Sequence, residues 1–203
     1  SGSGKSTAID ILLGLIKPHT GQLKIDDIEI NNENCRSWQN TIGFVAQDIF
    51  LSEGTIAENV AFGIPSDQIQ LDRVKHALKL AHLSELLNSL KQDIHTKIGE
   101  RGVQLSGGQR QRIGIARALY HEASVLIFDE ATSSLDGITE KMIMEAIHEF
   151  KGKKTIIMIA HRLKTVQECD QIFFINNGKV ADKGTYQNLI EKNKDFRTMA
   201  KHS

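Results

Sequence analysis

Apolar positions along the chain fall into two patterns. Ile42–Ala46, Val125–Phe128, Ile156–Ala160 and Ile172–Ile175 are short and continuously apolar. Runs of that length suit buried strands better than half-exposed ones. Elsewhere apolar residues recur at helical spacing. Ile9, Leu12, Leu13 and Ile16 mark a helix that Pro18 and Gly21 end. Leu23–Ile30 reads as strand and turn punctuated by Asp26-Asp27, with a short helix at Arg36–Asn40. Thr55–Val60 is helical, and Pro65 then breaks the chain. Leu71–Leu90 is helix-rich, its stripe of Val74, Leu78, Ala81 and Leu86-Leu87 reading as core packing. No strand is expected in this middle region. Ile143, Ala146, Ile147 and Phe150 share one face of Lys141–Phe150, and a shorter helical piece lies around Leu163–Gln167. Asn177-Gly178 is a strong hairpin signal, so Lys179–Lys183 returns antiparallel, and Tyr186–Lys192 forms a last helix. Strands alternating with helices predict βαβ units and a mainly parallel sheet.

Composition narrows the partners. Lys plus Arg equals Asp plus Glu at 25 each, a formal charge of zero, which speaks against nucleic acid. No apolar run is long enough to cross a bilayer. Cys35 and Cys169 lie far apart without metal-like spacing and read as reduced thiols.

Chemistry gathers at strand ends. In open α/β sheets, ligands sit beyond the carboxyl ends of the strands. Gln47, Asp129, Glu130 and His161 each follow an apolar strand directly. The opening Ser1-Gly2-Ser3-Gly4-Lys5-Ser6-Thr7 reads as the back half of a G-x-x-x-x-G-K-[ST] phosphate loop. The first glycine of that motif would lie two residues before Ser1. The chain is therefore expected to be a fragment lacking at least one upstream strand. A flexible Gly/Ser terminus is the bland alternative. Phosphoryl transfer to water needs a phosphate cradle, a cation, Mg²⁺ and a group that orients water. Lys5 supplies the cation, and Ser6 and Gln47 can ligate Mg²⁺. Asp129 holds the metal directly or through water, and Glu130 is placed as general base. His161 can donate to the γ-phosphate, or be a satisfied histidine at a strand end. In Leu105-Ser106-Gly107-Gly108-Gln109-Arg110-Gln111-Arg112, two glycines follow a serine and precede a run of helix formers. A helix N-terminus suits phosphate, although Gly-Gly before a helix also serves as a plain turn.

Leu105–Gln109 matches the signature motif of the ATP-binding cassette ATPases letter for letter, and the chain resembles that family over essentially its whole length. The resemblance implies an α/β fold: a P-loop NTPase core with a mainly parallel sheet, an inserted helical subdomain, and an antiparallel hairpin near the C-terminus. Residues 1–47 and 121–203 would form the core of a single domain, and 48–120 the helical subdomain with the signature. It implies ATP and Mg²⁺ as cofactors and head-to-tail packing with a second copy, a homodimer since both sets of site residues look complete. Ser106, Gly107, Gly108 and Gln109 of one copy would cap ATP held by the other's phosphate loop and Gln47. Ser133-Ser134-Leu135-Asp136 resembles the D-loop that crosses this interface, although its second position is often alanine. The same residues also read as a helix N-cap, with Asp136 or Thr139 starting the next helix. Gly99-Glu100-Arg101-Gly102 is similar to an exporter segment that faces the membrane domains.

The expected function is the ATPase domain of an exporter. It would lie at the cytoplasmic face of a membrane, with its transmembrane domain upstream in the parent chain. The alternative is a soluble cassette ATPase of DNA maintenance or translation, but such heads carry coiled-coil insertions or come in tandem. A degenerate cassette without turnover is opposed by Lys5, Glu130 and His161. Without the front of its phosphate loop and the upstream aromatic that stacks on adenine, this stretch alone is expected to bind ATP poorly.

Overall fold

Gly4 sits at φ 94°, and the first helix, α1 (Lys5–Leu12), starts from it in a computed structural model that describes residues 3–99, 103–131, 135–160 and 163–201. Ile9 and Leu13 are buried, but Leu15 and Ile16 are exposed. The helix ends at Gly14, whose φ of 69° lets the Leu15 amide donate back to the Asp10 carbonyl at 2.9 Å. Pro18 and Gly21 therefore follow an end that Gly14 has already made. β1 (Lys24–Ile25) and β2 (Ile28–Glu29) pair antiparallel around Asp26 and Asp27, at φ 47° and 67°. Both positive angles match a type I′ turn. α2 (Cys35–Gln39) then serves the open end of α1. Trp38 Nε1 donates to the Leu12 carbonyl at 2.7 Å, and Gln39 Nε2 to that of Leu13 at 3.0 Å.

The chain divides into two compact units, residues 1–40 with 158–203, and residues 41–157. The second unit opens with β3 (Ile42–Val45), β4 (Gly54–Thr55) and α3 (Ile56–Val60). α4 (Leu71–Leu80), α5 (Ser84–Ser89), β5 (Lys97–Ile98) and α6 (Gly107–Tyr120) follow. β6 (Val125–Asp129) and α7 (Gly137–His148) lead into β7 (Thr155–Ile159), which carries the chain back to the first unit. The sheet order is β3-β6-β7, with β3 and β6 parallel from Ile42↔Val125 to Val45↔Phe128. α6 lies close on β3: a Cβ on Gly43 would stand 2.9 Å from the Ala118 carbonyl oxygen. In the helical stripe Val74, Leu78 and Ala81 are buried as expected, Leu86 and Leu87 half-buried, and Leu83 fully buried. The middle region also contains strands, contrary to the expectation from pattern: β4 and β5 pair antiparallel through Gly54↔Ile98 and Thr55↔Lys97. Two-residue strands are too short to show an alternation.

The first unit resumes with a 3-10 turn at Leu163–Val166, β8 (Ile172–Asn176) and β9 (Lys179–Gly184). Asn177 and Gly178, at φ 49° and 72°, close β8 and β9 into an antiparallel hairpin. Ile172–Ile175 thus differs from the buried parallel strand its composition suggests. Its ladder partner among the described residues is β9, and Phe173 is 56% exposed. α8 (Tyr186–Lys192) is followed by α9 (Lys194–Lys201), which the pattern did not reveal. Asn193 Oδ1 accepts from the Phe196 amide at 2.9 Å and restarts the helix. Phe196 is 1% exposed, edge-on to Phe174 and Tyr186, and packs with Leu163, Val166 and Leu189 as the core of this unit. Among the described residues no helix is long and apolar enough to cross a membrane.

Candidate functional site

In the first unit, Gly4 is the N-cap of α1, and Lys5, Ser6 and Thr7 form its first turn. First-turn amides have no partner within their helix, so this end offers donors to an anion. Lys5 Nζ donates to Ser3 Oγ at 3.0 Å. The Ser3 carbonyl is held by the far end of the chain: the Gly178 amide donates to it at 3.1 Å, and a Cβ on Gly4 would stand 3.5 Å from Gly178 Cα. The hairpin turn therefore braces the candidate phosphate loop. The sequence showed the Asn-Gly turn, but nothing in it said what the turn touches. Ser1 and Gly2 lie outside the described residues, as does His161.

In the second unit, the parallel register of β3 and β6 puts their carboxyl ends at one edge. Asp129 ends β6, Glu130 follows it, and Gln47 lies two residues past β3. Gln47 Nε2 donates to Glu130 Oε2 at 3.3 Å, so one amide and one carboxylate from separate strands meet there. Glu130 adopts φ 49°. A left-handed non-glycine backbone costs about 1–2 kcal/mol, and such strain collects where function fixes a side chain.

The signature segment forms the start of α6. Ser106 Oγ accepts from the Gln109 amide at 3.2 Å, and Gln109 Oε1 accepts from the Ser106 amide at 2.8 Å. This is a capping box. It turns the Gln109 side chain back on the helix and leaves Gly107 and Gly108 as the first two residues of the turn. A Cβ on Gly107 would meet nothing within 4 Å, so the front of the helix is open. Further along α6, Arg112 Nη1 donates to the His82 carbonyl at 2.8 Å and Gln111 Nε2 to that of Ala46 at 3.2 Å. Arg117 reaches the carbonyls of Asn59 at 2.9 Å and Phe50 at 3.1 Å and lies over the Phe62 ring. Burial pulls its guanidinium below the ordinary arginine pKa. These anchors were not visible in the sequence, because their partners are carbonyls of residues 30 or more positions away.

Asp136 is the N-cap of α7, accepting from the amides of Ile138 at 3.1 Å and Thr139 at 3.0 Å. The Thr139 amide is the first cause of its lowered pKa. Ser133 and Ser134 lie outside the described residues, as do Glu100, Arg101 and Gly102. The donor set suits Mg²⁺, which takes one or two carboxylates, a hydroxyl or amide oxygen, phosphate oxygens and waters. Ser6 offers a hydroxyl in the first unit, and Gln47 and Asp129 offer an amide oxygen and a carboxylate in the second. Among the described residues no cluster of three or more His, Cys, Asp or Glu forms a closed metal cage.

The family described as ABC transporter matches residues 1–133. An ATP-dependent lipid A-core flippase of Cupriavidus pinatubonensis is 41% identical over 194 residues, covering 95% of this chain and 33% of that protein. ABC transporter B family member 17 of Arabidopsis thaliana is 43% identical over 192 residues, 95% of this chain and 16% of its own length. The chain thus spans a third or less of these relatives. A solved bacterial Atm1-family ABC exporter with ATP bound matches with a TM-score of 0.92 at 35% identity, over 100% of this chain and 35% of that one.

Proposed function

The chain belongs to the ABC transporter family, and from that premise we propose that it is the ATP-binding and ATP-hydrolysing domain of an exporter. The observation that carries the reading is the edge where the in-register pairing of β3 and β6 brings the Gln47 amide to the Glu130 carboxylate, beside Asp129. Residues 1–47 and 121–203 act as the nucleotide-holding core and 48–120 as the helical subdomain. The loop Ser1, Gly2, Ser3, Gly4, Lys5, Ser6 and Thr7 cradles the phosphates with backbone amides and the Lys5 ammonium. Ser6, Gln47 and Asp129 hold Mg²⁺, which when bound neutralises charge on the phosphate oxygens. Glu130 orients a water in line with the γ-phosphorus and accepts its proton as the oxygen–phosphorus bond forms. The bond from the γ-phosphorus to the bridging oxygen breaks, leaving ADP and phosphate. His161 donates to the γ-phosphate.

The open start of α6 gives the second half of the site. Ser106, Gly107, Gly108 and Gln109, with Asp136, serve the ATP of a second copy, packed head to tail as a homodimer. The amides of Gly107 and Gly108 are the donors; Gln109 shapes the turn through its cap. ATP draws two polar faces together, and loss of the γ-phosphate removes the contacts that favour the closed state. The domain works at the cytoplasmic face, joined to a transmembrane domain that chooses the cargo. The test uses the full-length protein. Glu130→Gln should lower ATP turnover by about 100-fold or more while ATP binding persists, and turnover at the wild-type rate would refute the assignment. Ser106→Arg in the Glu130→Gln background should abolish ATP-dependent pairing; normal pairing would remove the capping role.

A further inference from the structure

Gln111 is 4% exposed, a buried amide on a helix whose other buried residues are Ile113, Gly114, Ile115, Ala116, Ala118 and Tyr120. Burying an amide is unfavourable unless its groups are bonded. Its Nε2 donates to the Ala46 carbonyl at 3.2 Å. That carbonyl and the Gln47 nitrogen belong to one planar peptide unit. Holding the oxygen therefore sets the plane from which Gln47 projects, and so the direction in which its side chain reaches Glu130. A second contact lies three residues on, on the same face of α6. At Gly114 a Cβ would fall 2.3 Å from Ile49 Cδ1, so only the bare backbone lets Ile49 seat there. Gln47 thus stands between two residues gripped by α6, one through a hydrogen bond and one through packing.

We infer that Gln111 is a positioning residue: it ties the orientation of Gln47 to the helix that begins at Ser106-Gly107-Gly108. The inference rests on the proposed reading of Gln47 and Glu130 as hydrolytic groups. Its consequence is mechanical. Whatever the start of α6 binds also fixes the Gln47 peptide, because both belong to one rigid helix of 14 residues. The signature turn and the Gln47–Glu130 contact then respond together.

The test is steady-state ATP turnover of the full-length protein, with a double-mutant cycle. Gln111→Met keeps the volume and removes the donor. It should lower kcat about tenfold, the size expected for one buried hydrogen bond, and change KM for ATP less than about twofold. In the Gln47→Ala background it should add less than about a further twofold loss, since its effect passes through Gln47. A full, independent loss in that background, or no loss from Gln111→Met alone, overturns the inference and leaves the hydrolytic reading standing. Wild-type turnover of Gln47→Ala overturns both. If Gln111→Met does not fold, the second contact carries the test. Gly114→Ala should lower kcat by crowding Ile49, and adding Ile49→Ala should restore it. Failure of that restoration overturns the inference.

Discussion

Asn59 is fully buried, and its side-chain amide is fully used. Oδ1 accepts from the Ser52 amide at 2.9 Å and from Ser52 Oγ at 3.3 Å. Nδ2 donates to the carbonyls of Ser52 and Thr55, each at 3.0 Å. Asn59→Leu keeps the branched shape in a larger side chain but strips the Ser52 amide and two carbonyls of these partners. Each stranded backbone group costs about 1–3 kcal/mol when buried. Ser52 is half-buried, so the lower value applies, and the three groups sum to about 3 kcal/mol. Burial of the leucine gains about 1.5–3 kcal/mol and the crowding from its larger side chain costs about 1–3 kcal/mol, leaving a net offset of under about 1 kcal/mol. A net loss of about 2.5 kcal/mol corresponds to about 70-fold in an opening equilibrium. Amide hydrogen exchange reads local opening directly and does not depend on whether the two units unfold together. The α3 amides should exchange faster by about that factor. Acceleration below about fivefold would show that the amide network contributes little and would refute the reasoning.

Two further outcomes follow from the same kind of contact. Phe196→Ala removes the ring that holds Phe174, Tyr186 and Leu189 together, at about 3–5 kcal/mol, so calorimetry should find the first unfolding transition about 10 °C lower; an unchanged midpoint would contradict the assigned core. The Glu58 carboxylate is held below its ordinary pKa of 4.5, first by the Thr55 amide, then by the Thr55 hydroxyl and Ser66. A folded pKa below the unfolded one gives stability that is present above pH 4.5 and lost as pH falls through the folded value. Glu58→Gln should therefore flatten the dependence of the urea midpoint on pH below that point, and an unaltered slope would place the acid sensitivity elsewhere.

The sheet edge was legible because long apolar runs announce buried strands, and a chemistry-bearing residue directly after such a run has one place to go. Gln47, Asp129 and Glu130 were found this way. The start of α6 was legible in the two glycines ahead of a run of helix formers, whereas the capping box between Ser106 and Gln109 came only with the structure. What escaped depends on contacts distant in sequence. Gly14 ends α1 one turn before Pro18, because a left-handed residue suffices and an apolar Ile16 disguises it. Ile172–Ile175 has the composition of a buried parallel strand, but the Asn177-Gly178 turn folds it into a hairpin whose outer face keeps Phe173 in water. Nothing local in the sequence marks Gln111 or Arg117; only the fold shows that they end on backbone carbonyls of residues before α4.

The contact between Ser3 and Gly178 bears on how the protein is made. A ribosome produces the lysine-bearing loop well over a hundred residues before the turn that braces it. The loop can gain helical neighbours early, but its floor arrives only when β8 and β9 have emerged and closed. Distant partners of this sort slow folding, because chain closure precedes any gain from the contact. The candidate phosphate loop therefore gains its floor only after the hairpin closes, and a polypeptide cut before the hairpin would carry the motif without the support beneath it.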